Sequence, residues 1–196
     1  MLSLKDSLAV LKKTNALLDG HFVLSSGLHS AQYVQCAKLL SFPELSKKFT
    51  LSLSKKIKLN IKKIDLILSP AMGGIVIGYE IGRILKKETI FCERVNGKFK
   101  LRRGFTIKKN SRVLIVEDVI TTGKSSLECV RLIKKHKAKL LGFACLIDRS
   151  LKNKLKIKNK KIISQVKLDV PAYNLNNLPS NLKKIPISKP GSRFLK

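Results

Sequence analysis

Tryptophan is absent from this 196-residue chain, and aromatic residues make up only 6% of it. With so few rings, no stacking platform for unpaired bases is visible, so a nucleic-acid partner is not expected. Cysteine is scarce as well. Cys36, Cys92, Cys129 and Cys145 are widely separated and mostly flanked by apolar residues, which suits reduced, buried thiols better than disulfides. His21, His29 and His136 stand at no metal-ligand spacing from them, so no chain-held metal is expected. Long apolar runs are missing. The most apolar region, residues 64–85, is interrupted by Asp65, Pro70, Glu80 and Arg83 and cannot span a membrane. No basic start followed by an apolar run opens the chain, so the expected compartment is the cytoplasm. Acidic residues number 12 against 41 Lys and Arg, a formal charge of +29. That excess attracts polyanions. Lysine is spread along nearly the whole chain, however, and the same field draws in phosphorylated small molecules, so charge alone does not choose a partner.

What is present centres on residues 113–126, Val-Leu-Ile-Val-Glu-Asp-Val-Ile-Thr-Thr-Gly-Lys-Ser-Ser. Val113, Leu114, Ile115 and Val116 suit a buried parallel strand. Glu117 and Asp118 follow where that strand should end, and Ser125 and Ser126 open an amphipathic stretch over residues 127–135. A strand, an acidic pair, a hydroxyl-rich turn and a helix start predict a small-molecule site at the carboxyl edge of a sheet. The turn's amides and hydroxyls, with the positive end of a helix dipole, suit a phosphate. The carboxylates repel that phosphate and suit sugar hydroxyls, a metal or a cationic transition state. An ATP-binding P-loop is excluded, because Asp118 stands where its first glycine is needed, and no Gly-x-Gly-x-x-Gly follows a strand. An ordinary strand-to-helix turn with a capping serine is the plain alternative.

This stretch resembles the ribose-phosphate signature of the type I phosphoribosyltransferases, which bind 5-phosphoribosyl 1-diphosphate. The resemblance implies an α/β fold with a central, mainly parallel five-stranded sheet flanked by helices. It also implies one domain over residues 1–196, with a small hood from about residues 1–40 to which the C-terminal tail can add. Glu117 and Asp118 would bind the ribose hydroxyls and favour positive charge on the ring. Thr121, Thr122, Gly123, Lys124 and Ser125 would cradle the 5′-phosphate, and Val119 and Ile120 would also belong to the site of the diphosphate sugar.

Toward the N-terminus, Leu4, Leu8, Leu11, Leu17 and Leu18 recur at helical spacing, and Gly20 is the expected stop. Residues 21–36 read as two strands around a Ser25-Ser26-Gly27 turn. On composition this is a hairpin; Ser26 and Tyr33 could also meet a planar ligand, and the pattern resembles the hood of orotate phosphoribosyltransferases. Residues 42–58 predict a helix with Pro43 in its first turn. Residues 64–68 predict a strand that runs into the small residues Ala71, Met72, Gly73 and Gly74. The family's pyrophosphate loop falls here. Relatives often carry a lysine near Gly73, and without one the backbone amides would bind more of the anion. Gly78 and Gly82 are expected to form a flat packing face.

A third strand at residues 89–92 precedes a basic segment, residues 93–104, with an Asn96-Gly97 turn signal. Composition alone makes it a solvated loop. It resembles the mobile loop of one branch of the orotate enzymes, which implies pyrophosphate contacts from Arg94, then Lys98, with Arg102 and Arg103 behind them. Residues 140–147 predict another buried strand, ending at Asp148-Arg149. An arginine there can grip a carboxylate in two-pronged fashion. Orotate has a carboxylate and the purine bases do not, so Arg149 with Thr121, Ser26 and Tyr33 forms the implied orotate site. Residues 151–161 suit an exposed turn or edge, residues 161–168 a fifth strand, and the tail, with Pro171, Pro179, Pro186 and Pro190, an extended path.

The resemblance therefore implies orotate phosphoribosyltransfer with Mg2+ carried mainly by the substrate, in a homodimer whose segment 93–104 reaches the neighbouring site. A purine-type phosphoribosyltransferase and a regulatory RNA-binding relative are the alternatives.

Overall fold

In the computed structural model, which describes residues 1–24, 27–150 and 160–188, helix α1 (Leu4–Lys13) leads into strands β1 (Leu17–Val23) and β2 (His29–Val34). Helices α2 (Cys36–Leu40) and α3 (Pro43–Asn60) follow, then β3 (Leu66–Pro70), α4 (Gly74–Leu85), β4 (Glu88–Val95) and β5 (Lys98–Leu101). The central motif spans β6 (Arg112–Ile120) and α5 (Lys124–Lys135), and β7 (Lys139–Asp148) and β8 (Ile162–Lys167) complete the main sheet. The described chain closes with β9 (Ala172–Tyr173), a 3-10 turn at Leu175–Asn177, α6 (Ser180–Lys183) and β10 (Ile187–Ser188).

The main sheet runs β5-β4-β3-β6-β7-β8. Its five strands from β4 to β8 are parallel, as expected; the sixth, β5, turns back antiparallel on β4. Both faces are covered, which is why β3 is buried along its whole length. Leu114 and Val116 pack with Phe49, Leu53, Ile77 and Ile81 from α3 and α4. Val113 and Ile115, one residue out of phase, pack with Cys129, Val130 and Ile133 from α5. Gly78 and Gly82 lie against the sheet as the spacing predicts. A Cβ at Gly78 would collide with Ser69, and one at Gly82 with Thr89.

A second sheet, β10-β1-β2-β9, joins the first hairpin to the last residues described. Here the sequence reading needs correction. The first helix stops at Lys13, not at Gly20, because Thr14 closes it and Asn15 takes a positive φ of 54°. Leu17 and Leu18 then pair with Val34 and Tyr33 as strand residues. Nor is the tail merely extended, since it supplies both outer strands of this sheet. The segment at 93–104 is largely a hairpin rather than a loop. Asn96 and Gly97, with φ of 50° and 76°, make the tight turn that matches the twist of β4 and β5. The exposed turn expected at residues 151–161 lies mostly outside the described residues.

Candidate active site

The expected strand end at Val116 is overrun: β6 continues through both acids to Ile120, paired to β7 all the way. Strand geometry then sends Glu117 and Asp118 to opposite faces. Asp118 follows Leu114 and Val116 toward the α4 side and lies against Gly73, where a Cβ would sit 2.6 Å from its carboxylate. Its main-chain carbonyl accepts a weak bond from Cys36 Sγ at 3.8 Å. Burial raises the Asp118 carboxyl above its ordinary value, and the N–H groups of Val119 and of Asp118 itself pull it partly back. Glu117 follows Val113 and Ile115 toward α5, is only 7% exposed and accepts a hydrogen bond from Ser126 Oγ. Burial pushes Glu117 up to about 7, despite that bond, with the Asp118 charge adding to the rise.

Beyond Ile120, Thr121 and Thr122 are exposed, and Gly123 begins α5 with φ 72°, a left-handed turn that a side chain would strain. No acid occupies the first turn of α5, so its free N–H groups meet no competing negative charge. Lys124 is exposed beside them, Ser125 is half-buried, and Val119 and Ile120 lie lower on β6. Ala71, Met72 and Gly73 form the neighbouring loop. It is tied down by the Ala71 N–H, which donates to the Cys92 carbonyl at 2.8 Å, and its Ala71–Met72 peptide is cis. Asp118, loop 71–73 and turn 121–125 thus share the carboxyl edge at β3 and β6.

Arg149 leaves β7 on the same edge, its N–H donating to the Ile120 carbonyl at 2.8 Å. Arg149 is half-buried, and among the described residues its Nε is buried with no hydrogen-bond partner. Burial lowers its pKa, and Tyr33 on β2 is close enough to oppose that shift. The second sheet therefore brings Tyr33 to Arg149; Ser26 lies outside the described residues. The basic hairpin divides. Arg94 donates to Glu128 at 2.8 and 3.2 Å and to the Gly97 carbonyl at 2.8 Å, and stacks 4.2 Å from the Phe99 ring. Arg103 pairs with Glu93 at 2.9 Å. Lys98 and Arg102 are exposed and make no ion pair among the described residues. The partners Ser126 and Glu128 escape a sequence reading because no local motif marks them. Both belong to α5, and only the fold brings them to Glu117 and Arg94.

No three His, Cys, Asp or Glu side chains converge on a metal position among the described residues. The amides, hydroxyls and cations at this edge suit an anion, beside the single carboxylate of Asp118. No described helix is long and apolar enough to cross a membrane.

A parallel sheet with an acid at the end of one strand and an anion-seeking turn beside it defines a class that family comparison identifies. The chain belongs to the family described as the phosphoribosyl transferase domain, whose model matches residues 46–174. Within that class two sequence relatives carry the same printed name. An orotate phosphoribosyltransferase of Parvibaculum lavamentivorans is 46% identical over 94% of this chain and 94% of its own length. Another, of Erythrobacter litoralis, is 40% identical over 96% of this chain and 97% of its own. Among solved structures, the orotate phosphoribosyltransferase of Aeropyrum pernix superposes with a TM-score of 0.72 at 25% identity, over 82% of this chain and 92% of that one.

Proposed function

We propose that this chain transfers the 5-phosphoribosyl group of 5-phosphoribosyl 1-diphosphate to orotate, giving orotidine 5′-phosphate and pyrophosphate, a step of pyrimidine synthesis. The observation that carries the choice of orotate is Arg149. A half-buried arginine whose Nε is buried and unpartnered among the described residues, beside the site and near Tyr33, suits a carboxylate-bearing planar base. The name shared by the two sequence relatives supports the same reading.

In the proposed reaction the C1–O bond to pyrophosphate breaks, a bond from C1 to the orotate ring nitrogen forms, and the proton of that N–H leaves to the departing pyrophosphate or to water. Turn 121–125 holds the 5′-phosphate through backbone N–H groups, hydroxyls and Lys124. Asp118 takes a ribose hydroxyl and places a negative charge near the electron-poor ring. With the Ala71 N–H engaged by Cys92, loop 71–73 offers the Met72 and Gly73 amides to the pyrophosphate. Lys98 and Arg102, which like Lys100 make no ion pair among the described residues, are better placed than the engaged Arg94 to follow the leaving group and help exclude water. Mg2+ arriving on the diphosphate would neutralise charge on the departing group.

The reading extends to one domain in which the second sheet forms the hood. It also includes a homodimer in which segment 93–104 reaches the neighbouring site, and a cytoplasmic location. The deciding assay is pyrophosphate release with the diphosphate sugar, Mg2+ and each of orotate, uracil, adenine and hypoxanthine. Release with orotate alone, lost in Asp118→Asn, is expected. Release with a purine base and none with orotate would replace this reading by a purine-type transferase.

A further inference from the structure

Asp148 and Ser150 flank Arg149 where β7 ends, and the acid does not bond to the arginine beside it. Asp148 is only 6% exposed, so its side chain needs partners within the protein. Arg149 is next in the chain and Lys167 stands opposite on β8, but neither forms an ion pair with Asp148 among the described residues. Asp148 Oδ1 instead accepts two hydrogen bonds from Ser150, from the main-chain N–H at 2.8 Å and from Oγ at 2.5 Å. The group that opposes the burial of the Arg149 guanidinium is Tyr33, not Asp148.

That pairing fixes the shape of the chain. An aspartate that takes the N–H two residues on bends the backbone into a tight turn, and Arg149 is the middle residue of this one. The Arg149 N–H donates to the Ile120 carbonyl at 2.8 Å, and the Asp148 carbonyl accepts from the Leu168 N–H at 2.9 Å. The backbone around the arginine is thus held at β6, beyond β8 and at Ser150, which limits the directions its side chain can take. The pairing also decides what the arginine meets. An acid is the natural partner of a guanidinium, but this acid is occupied, and Arg149 Nε stays buried without a bond among the described residues. The guanidinium is left for a carboxylate from outside the chain.

We infer that Asp148 and Ser150 are positioning residues for base recognition: their turn aims Arg149 at the carboxylate of the base and keeps the chain's own acid off it. Neither residue is assigned a contact with the base. The inference rests on the orotate reading of Arg149 and deepens it. A misaimed two-pronged contact loses affinity for the carboxylate and spares the rest of the ligand.

The test is calorimetric binding of two probes that differ only in that carboxylate, orotidine 5′-phosphate and uridine 5′-phosphate, to the full chain. Sugar and phosphate are common to both, so the ratio of the two Kd values reads the Arg149 contact alone. The wild type should favour orotidine 5′-phosphate about a hundredfold, and Arg149→Ala should abolish the preference. Ser150→Ala should cut the preference about tenfold and leave the Kd of uridine 5′-phosphate within about twofold. Ser150→Thr keeps the hydroxyl and Asp148→Asn keeps the accepting oxygen, so both should retain the preference. Asp148→Ala removes both bonds and should fall at least as far as Ser150→Ala. Should Asp148→Ala fail to fold, Ser150→Ala decides alone. A Ser150→Ala variant with the full preference would overturn the inference. So would an equal loss for both probes, which is what a merely structural role produces. A wild type without any preference would remove the orotate reading of Arg149, and this inference with it.

Discussion

Gly73 faces the Asp118 carboxylate so closely that a Cβ on the glycine would lie 2.6 Å from one oxygen and 2.8 Å from the other. The Gly73 backbone, with φ −59° and ψ −32°, would accept alanine without strain. The clash therefore falls on the acid, the far end of a side chain that can swing aside. Gly73→Ala is predicted to displace Asp118 and lower kcat/KM about a hundredfold, the scale of an ångström-sized misplacement. The melting temperature should stay within about 2 °C, since no core contact is lost. Steady-state kinetics beside a thermal melt checks both. Unchanged kinetics would mean that the position of Asp118 does not matter to turnover.

Arg149 presents the opposite situation, a group short of a partner rather than crowded by one. Its Nε is buried without a bond among the described residues, and burial already lowers its pKa. Arg149→Ala should raise the KM for orotate about a hundredfold, equivalent to about 2–3 kcal/mol for a desolvated charge pair. The KM for the diphosphate sugar should change little. Stability should change little, because the residue is only half-buried and its Nε makes no hydrogen bond among the described residues. Equal losses for both substrates would detach Arg149 from base recognition.

The absence of a converging set of metal ligands among the described residues separates turnover from folding. EDTA is expected to stop pyrophosphate release and leave the melting temperature of the free chain unchanged. A chain-held structural ion would instead lower both.

Much of this was legible in the sequence where the signal is local. Val113 to Val116 read as a buried strand because β-branched runs suit two covered faces, and Gly123 read as the turn before a helix. Gly78 and Gly82 read as a packing face from their spacing alone. What escaped is what non-local partners decide. Leu17 and Leu18 continue a helical spacing on paper, but pairing with Val34 and Tyr33 makes them strand. β9 and β10 are two residues each and exist only through their pairing with β2 and β1. The acids looked like a strand end because burying a carboxylate is costly. Ser126, nine residues away, offsets enough of that cost for β6 to run on. Arg94 read as a free cation because Glu128, 34 residues on, is invisible to a local reading.

That residual cost at Glu117 should be measurable. Its folded pKa is raised to about 7 from an ordinary 4.5, so the folded chain holds this proton more tightly than the unfolded chain does. A raised carboxyl contributes stability that is complete below the unfolded value and is lost as pH climbs through the folded one. The window therefore runs from about 4.5 to about 7, with stability falling as pH rises. Glu117→Gln keeps the shape and the acceptor for Ser126 and never ionises. It should match the wild type at pH 4.5 and exceed it at pH 8 by about 2–3 kcal/mol, or on the order of 6 °C in Tm for a chain of this size. Urea melts at the two pH values check this, and a wild type more stable than the variant at pH 8 would show that the carboxylate carries no burial cost.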